Sequence, residues 1–163
     1  MTPLTTINYP FPGFSLTVSL TAEFIAAANF TYDRPQLQIE GVATKLCQRV
    51  ISQLASYQAD PGFQFSLPLQ FSGSLHQLKV WQVLQQIAPG AVLSYAQVAK
   101  LLNSAPRAVG GACGRNPLAL FIPCHRVIAA NGHIGGFKQG HSAVNLAIKQ
   151  WLLQHESRIR VNK

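Results

Sequence analysis

Cys124 stands directly before His125, behind Pro123 and the apolar run Leu118-Ala119-Leu120-Phe121-Ile122. A cysteine is a useful nucleophile only as its thiolate. A nearby imidazole, or a water held by one, takes the proton and holds the charge. On an extended segment, however, neighbouring side chains point to opposite faces. If Cys124 and His125 cooperate, the backbone must turn there or a group must bridge them.

The rest of the chain bounds what such a thiol can serve. Its 163 residues suffice for one domain or two small ones, and for an ordinary core. A hydrophobic fraction of 48% with 11% charged residues describes a globular chain, not a disordered one. No apolar run is long enough to span a bilayer, so no membrane partner is expected. Met1 to Gly13 has no basic residue ahead of its apolar positions, which argues against a secretory signal. Three cysteines, Cys47, Cys113 and Cys124, give an odd count without paired spacing. That argues against a disulfide framework and a zinc site, and for a reducing, cytoplasmic compartment.

Charge is distributed unevenly. Residues 1–75 carry three basic and four acidic side chains, and residues 76–163 carry ten basic and one acidic. The second half is thus the polyanion-facing half, with nucleic acid as the partner class; a solvated basic surface is the plainer alternative.

The elements that must position the thiol read as follows. Phe14 to Leu20 alternates as a half-buried strand does. Glu23 to Phe30 fits a second strand, although its alanines also allow helix. Val42, Leu46, Val50 and Leu54 predict an amphipathic helix from about Ile39 to Tyr57, with Cys47 on its apolar side. Asp60-Pro61-Gly62 is a turn. Phe63 to Leu69 alternates again as a strand, leading to a linker at Gln70 to Ser74.

The second half reads as mostly helical. Leu78, Trp81, Leu84, Ile87 and Ala88 form a stripe ended by Pro89-Gly90. Ser94 and Gln97 fit a capping box opening a helix that runs to about Leu102. After a break at Asn103-Ser104, Pro106 suits the first turn of another helix. Two short helices joined by a tight turn make a helix-turn-helix candidate. The second, Pro106 to Gly114, is almost all small residues with Arg107 near its start. Each interior glycine costs roughly 1 kcal/mol against alanine, so something must compensate. Close packing on a neighbouring helix and close approach to a nucleic-acid backbone or groove both fit. Asn131-Gly132 signals a hairpin, Gly135-Gly136 a loop, and Ala143 to Glu156 a last helix with Ser142 as its N-cap.

Pro123-Cys124-His125-Arg126-Val127 closely resembles the acceptor-cysteine motif of the O6-alkylguanine-DNA alkyltransferases. Other blocks recur in the family's order over residues 73 to 156. They are Val80-Trp81, Ser94-Tyr95, Arg107-Ala108-Val109-Gly110, Asn116-Pro117, Gly135-Gly136-Phe137, and Lys149 through Trp151 to Glu156. The fold expected is an α+β N-terminal domain (residues 1–72, a small sheet plus helix), followed by a mostly helical winged helix-turn-helix domain (residues 73–163).

The resemblance implies a DNA repair protein that flips O6-alkylguanine, mainly O6-methylguanine, out of duplex DNA and moves the alkyl group irreversibly to Cys124. Its partner would be double-stranded DNA, met through the minor groove by a monomer without cofactor. Cys124 would lose its proton through a water to His125, with Glu156 holding the imidazole. Glu156 is the only acidic residue of the second half, as an orienting partner would be. Tyr95 would donate a proton to the departing base. Asn116 would shape the turn holding the cysteine. Arg107 would fill the gap in the stack, with Ala108, Gly110, Gly111, Tyr95 and Arg115 along the DNA face. Val127, Phe137, Lys138, Lys149 and Trp81 would line the base pocket, the Val127 carbonyl accepting from the guanine amine. Cys113 sits where some members have methionine close to the base. Some members hold a structural zinc in the first domain. Here only Cys47 lies in that region and no histidine precedes His76, so no metal is expected. A damage-sensing DNA-binding module and a thiol hydrolase are the competing functions.

Overall fold

A computed structural model describes residues 5–32, 35–129, 131–132 and 143–158. Among these the chain is α+β, with a small antiparallel sheet and five helices. It divides into two units, Met1–Phe71 with Pro117–Phe121, and Ser72–Asn116 with Ile122–Lys163.

The first unit is built on four strands, β1 (Thr5–Phe11), β2 (Phe14–Leu20), β3 (Ile25–Thr31) and β4 (Gln38–Gly41), in the antiparallel order β3-β2-β1-β4. A two-residue turn joins β1 to β2, with Gly13 at φ +85° where a side chain would strain the backbone. Helix α1 (Lys45–Ala59) packs through Leu46, Cys47, Val50, Leu54 and Tyr57. Its start differs from the periodicity reading. The apolar spacing runs back to Ile39, but Ile39 pairs with Ile7 as part of β4. Thr44 then caps the helix by accepting from the Cys47 amide at 3.1 Å.

Strand β1 is not predicted by the sequence pattern, and Pro10 lies within it. Phe63 to Leu69, expected as a strand, is not one; only Leu69 forms an isolated bridge, to Ile25. The reason lies in α1. Gln53 takes both backbone groups of Ser66, accepting from its amide at 2.9 Å and donating to its carbonyl at 3.1 Å. Groups satisfied by a side chain have no need of a neighbouring strand. Pro117–Phe121 joins this unit by a short parallel exchange with Ala28, whose amide donates to the Pro117 carbonyl and whose carbonyl accepts from Ala119, both at 3.0 Å.

The second unit holds α2 (Leu75–Leu84), β5 (Leu93–Ser94), α3 (Tyr95–Leu102), α4 (Pro106–Gly114), β6 (Val127–Ile128) and α5 (Ala143–Ser157). The capping box at Ser94 and Gln97 is present, and so is one at Ser74 and Gln77 that opens α2. Helix α2 stops short of the apolar stripe. Tightened turns at Gln86 and Ile87 bond to carbonyls three residues back, and Ile87 is still buried. Asn103 ends α3 at φ 53°, a left-handed position that asparagine tolerates, and Pro106 opens α4. Strand β6 pairs in parallel with β5. The Asn131-Gly132 turn is present with Gly132 at φ +84°. The return half of the expected hairpin, the Gly135-Gly136 loop and the Ser142 cap lie outside the described residues. Among those described, no helix is long and apolar enough to cross a membrane.

Candidate active site

The chain does turn at the cysteine. Cys124–Arg126 forms a single 3-10 turn, in which the Arg126 amide bonds the Pro123 carbonyl at 3.0 Å and the Cys124 amide bonds that of Ile122 at 2.8 Å. Asn116 fastens this turn from outside, its Nδ2 donating to the Ile122 carbonyl at 2.7 Å. Cys124, His125 and Arg126 are all buried in consequence.

Beneath the turn, helix α5 presents Glu156. Its Oε2 is 2.8 Å from His125 Nε2, so a helix thirty-one positions along the chain orients the imidazole. His125 Nδ1 is buried with no hydrogen-bond partner among the described residues. Arg126 takes the same carboxylate as a fork. Its Nε donates to Oε1 at 2.8 Å and its Nη2 to Oε2 at 3.0 Å, while Nη1 donates to the Ile87 carbonyl at 2.6 Å. Burial works against the Glu156 charge, but His125 and Arg126 together outweigh it and hold the carboxyl far below the usual range. For His125 burial dominates: it lowers the pKa, and the neighbouring Arg126 and Lys149 charges add to that, against the pull of Glu156. One carboxylate facing one guanidinium is already balanced, so the imidazole rests neutral and able to accept a proton.

Arg126 is the member of this cluster that residue types alone did not reveal. The signal was present: a lone carboxylate in a strongly basic half has more than one suitor, and Arg126 adjoins His125.

A second group converges from α3, α5 and β6. Lys149 is fully buried. Its Nζ donates to the Val127 carbonyl at 2.7 Å, stands 3.5 Å from Tyr95 Oη, and lies 5.7 Å from that ring's centroid. Burial draws its pKa down to about 8, against the influence of Cys124 and Cys113. Burial pushes the Tyr95 phenol well above its ordinary range, with Cys113 and Cys124 adding to the rise. Cys113 on α4 is likewise raised, first by burial and then by Cys124. Position alone singles out Cys113 in the sequence; its electrostatic coupling to Cys124, Tyr95 and Lys149 is set by the fold.

The remaining expected residues fall on α4 or beside it. Arg107, Ala108, Gly111 and Arg115 are exposed and Gly110 half-buried, whereas Val109, Ala112 and Cys113 point inward. A Cβ at Gly111 would meet nothing within 4 Å, and one at Gly110 only the Tyr95 ring edge at 3.9 Å. Packing inside the chain therefore does not demand glycine at Gly111. Trp81 is buried under α4, its indole N–H donating to the Ala112 carbonyl at 2.9 Å. Phe137 and Lys138 lie outside the described residues. Among those described, no three His, Cys, Asp or Glu side chains gather as a metal site.

Comparison with known proteins places this geometry. The model of the 6-O-methylguanine DNA methyltransferase DNA-binding domain matches residues 76–158. A methylated-DNA–protein-cysteine methyltransferase of Mycolicibacterium paratuberculosis is 41% identical over 110 residues, 66% of this chain and 64% of that one. One of Shigella flexneri is 42% identical over 93 residues, 56% of this chain and 52% of that one. The matched segments thus span about half to two thirds of these curated relatives. The crystal structure of a Mycobacterium tuberculosis O6-methylguanine methyltransferase aligns with a TM-score of 0.76 at 26% identity, covering 94% of this chain and 93% of that one. A structure from the same organism in complex with DNA aligns with a TM-score of 0.76 at 27% identity over the same shares. With half of its length matched by the family's model and the acceptor motif set in the 3-10 turn, the chain belongs to the 6-O-methylguanine DNA methyltransferase family.

Proposed function

We propose that this protein repairs DNA by moving the alkyl group of an O6-alkylguanine, mainly a methyl, onto its own Cys124, once per molecule. The observation that carries the reading is the turn that sets Cys124 beside a neutral His125, whose Nε2 is held by Glu156 and whose Nδ1 has no partner among the described residues. The Cys124 proton passes through a water to that Nδ1. The thiolate attacks the alkyl carbon in line, the carbon–oxygen bond breaks, and its electron pair leaves with the guanine. The product is a thioether, and no residue of the cluster is equipped to cleave it.

Recognition falls to a winged helix-turn-helix made by α3 and α4, in a second domain of residues 73–163 from which the Pro117–Phe121 segment departs to join the first unit. The small, exposed face of α4 lies against the minor groove of duplex DNA. Arg107 enters the stack as the damaged base is flipped out, at a cost of a few kcal/mol. Tyr95 and the Val127 carbonyl meet the flipped guanine. The Lys149 bond to that carbonyl leaves a lone pair for the base, since a carbonyl oxygen has two. The protein acts as a monomer in a reducing, cytoplasmic compartment, a setting that its three free cysteines suit.

Incubation with duplex DNA bearing labelled O6-methylguanine tests this. One label per protein on Cys124 is expected. Label that stays on the DNA while binding is intact leaves only a damage-binding module. Repeated turnover on an ester would make the protein a thiol hydrolase instead. Arg107→Ala is expected to slow transfer from duplex roughly 10- to 100-fold, the scale of a lost stacking contact, with little change on the free O6-alkylguanine base. Equal rates on duplex would remove Arg107 from the flipping step.

A further inference from the structure

Alkyl transfer makes no use of Cys113, yet this thiol is buried in the same cluster as the acceptor. It lies in the last turn of α4, which the Trp81 indole pins by donating to the Ala112 carbonyl at 2.9 Å. Asn116 then ties the two cysteines together. Its amide donates to the Cys113 carbonyl at 3.2 Å, and its side chain donates to the Ile122 carbonyl at 2.7 Å. That same Ile122 carbonyl accepts from the Cys124 amide at 2.8 Å. The side chains share their surroundings as well. Tyr95 on α3 and Lys149 on α5 each feel both thiols, and Cys113 feels Cys124 directly. Both cysteines are free here, and Cys47 belongs to α1 in the other unit.

We infer that Cys113 is a resolving thiol for Cys124, closing a reversible disulfide with it when a peroxide oxidises the acceptor. In the first step the Cys124 thiolate attacks one oxygen of hydrogen peroxide and the oxygen–oxygen bond breaks. Cys124 becomes a sulfenic acid, and the departing hydroxide takes up the proton that the thiol had lost, leaving as water. In the second step the Cys113 sulfur attacks the Cys124 sulfur and the sulfur–oxygen bond breaks. Hydroxide leaves with the Cys113 proton as a second water. The two thiols together give two electrons to the peroxide. An external dithiol returns them by exchange and restores both thiols.

The surroundings set the order of these steps. Burial, and after it the charge of Cys124, keep Cys113 a thiol at rest. A sulfenic acid is neutral, so oxidation of Cys124 removes the second of these influences. Lys149 goes on favouring the Cys113 thiolate. Cys113 is thus drawn into attack only after its target sulfur has been oxidised. The gain falls on the acceptor. A sulfenic acid left alone passes to sulfinic acid, which thiols do not reverse, whereas a disulfide is recovered. A chain that has a single acceptor for a single transfer loses its whole function to that one oxidation.

The test reads thiols and needs no alkyl transfer. Wild-type protein and Cys113→Ala are treated with excess hydrogen peroxide and then with dithiothreitol, and Cys124 is labelled with iodoacetamide before and after the dithiol. Wild-type Cys124 is expected to lose its labelling to peroxide and to regain nearly all of it with dithiothreitol. Peptide mapping of the oxidised wild-type chain is expected to show Cys113 joined to Cys124, lighter by two hydrogen atoms. Cys113→Ala is expected to lose its labelling and regain almost none, its Cys124 having passed to sulfinic acid. An oxidised wild-type chain without that cross-link, or with Cys124 joined to a second molecule, overturns the inference. So does a Cys113→Ala protein that regains labelling as fully as the wild type. The mapping uses the wild-type chain alone, so it decides the matter even if Cys113→Ala does not fold.

Discussion

Cys124→Ala is expected to reduce alkyl transfer to background while lesion-bearing duplex stays bound. The thiol is the only group in the cluster that becomes a strong carbon nucleophile near neutral pH. Its neighbours serve it but cannot replace it. His125 is tied to Glu156 through one nitrogen and is buried, and Lys149 is committed to the Val127 carbonyl. Cys113 is the nearest rival, yet burial and Cys124 raise its pKa, which keeps it a thiol. Cys47 is buried on α1 in the other unit. Binding should survive because the exposed side chains of α4 do not include Cys124. The check is a labelled-methyl transfer assay beside a gel-shift titration of the same variant. Label found on Cys113 would show that the fold, rather than one residue, selects the acceptor. Loss of binding in step with transfer would mean that Cys124 also supports the DNA face.

Glu156→Ala is expected to damage both stability and rate. It strips Arg126 of a forked partner and His125 of its orienting bond in one change. Removing one partner of a buried ion pair costs about 3–5 kcal/mol, because the other charge stays buried without compensation. Transfer should fall by roughly 10²-fold or more, as His125 loses its orientation as proton acceptor. A pH signature accompanies this. In the fold Glu156 stays ionised far below its ordinary range, so its contribution is complete above the free-carboxylate value of about 4.3 and is lost as pH falls below it. His125, held neutral by burial, acts in the same direction. The unfolded chain takes up its proton below about pH 6.5 and the folded one does not, so stability declines on the acid side. Urea midpoints of the wild-type protein should therefore fall from neutral pH toward pH 3, and those of Glu156→Gln should fall less. A wild-type midpoint flat over that range would mean that the pair contributes nothing net.

Much of this was legible in residue types and short spacings. The capping box at Ser94 and Gln97, the proline that opens α4, the alternation of β2 and the stripe of α5 are local signals, complete within a few residues. Their physics is a cap satisfying a free amide or a face turning apolar, and it needs no distant partner. Spacing misled where a tertiary partner outbid it. Ile39 continues the helical period of α1, but Ile7 claims it for β4. Phe63 to Leu69 alternates like a strand, but Gln53 of α1 satisfies the Ser66 backbone there.

The active cluster divides in the same way. Residue types alone determined that a thiol stands beside an imidazole, that one carboxylate exists in the basic half to hold it, and that a small-residue helix opens on an arginine. Only the tertiary structure decided how these meet. It turned the backbone at Cys124, sent Arg126 as well as His125 to Glu156, and set Lys149 against Tyr95. Each of those contacts joins residues thirty or more positions apart, apart from the turn itself, which is fastened by Asn116. Buried charges settle where other charges and carbonyls can satisfy them, and that depends on which helices the whole core brings together.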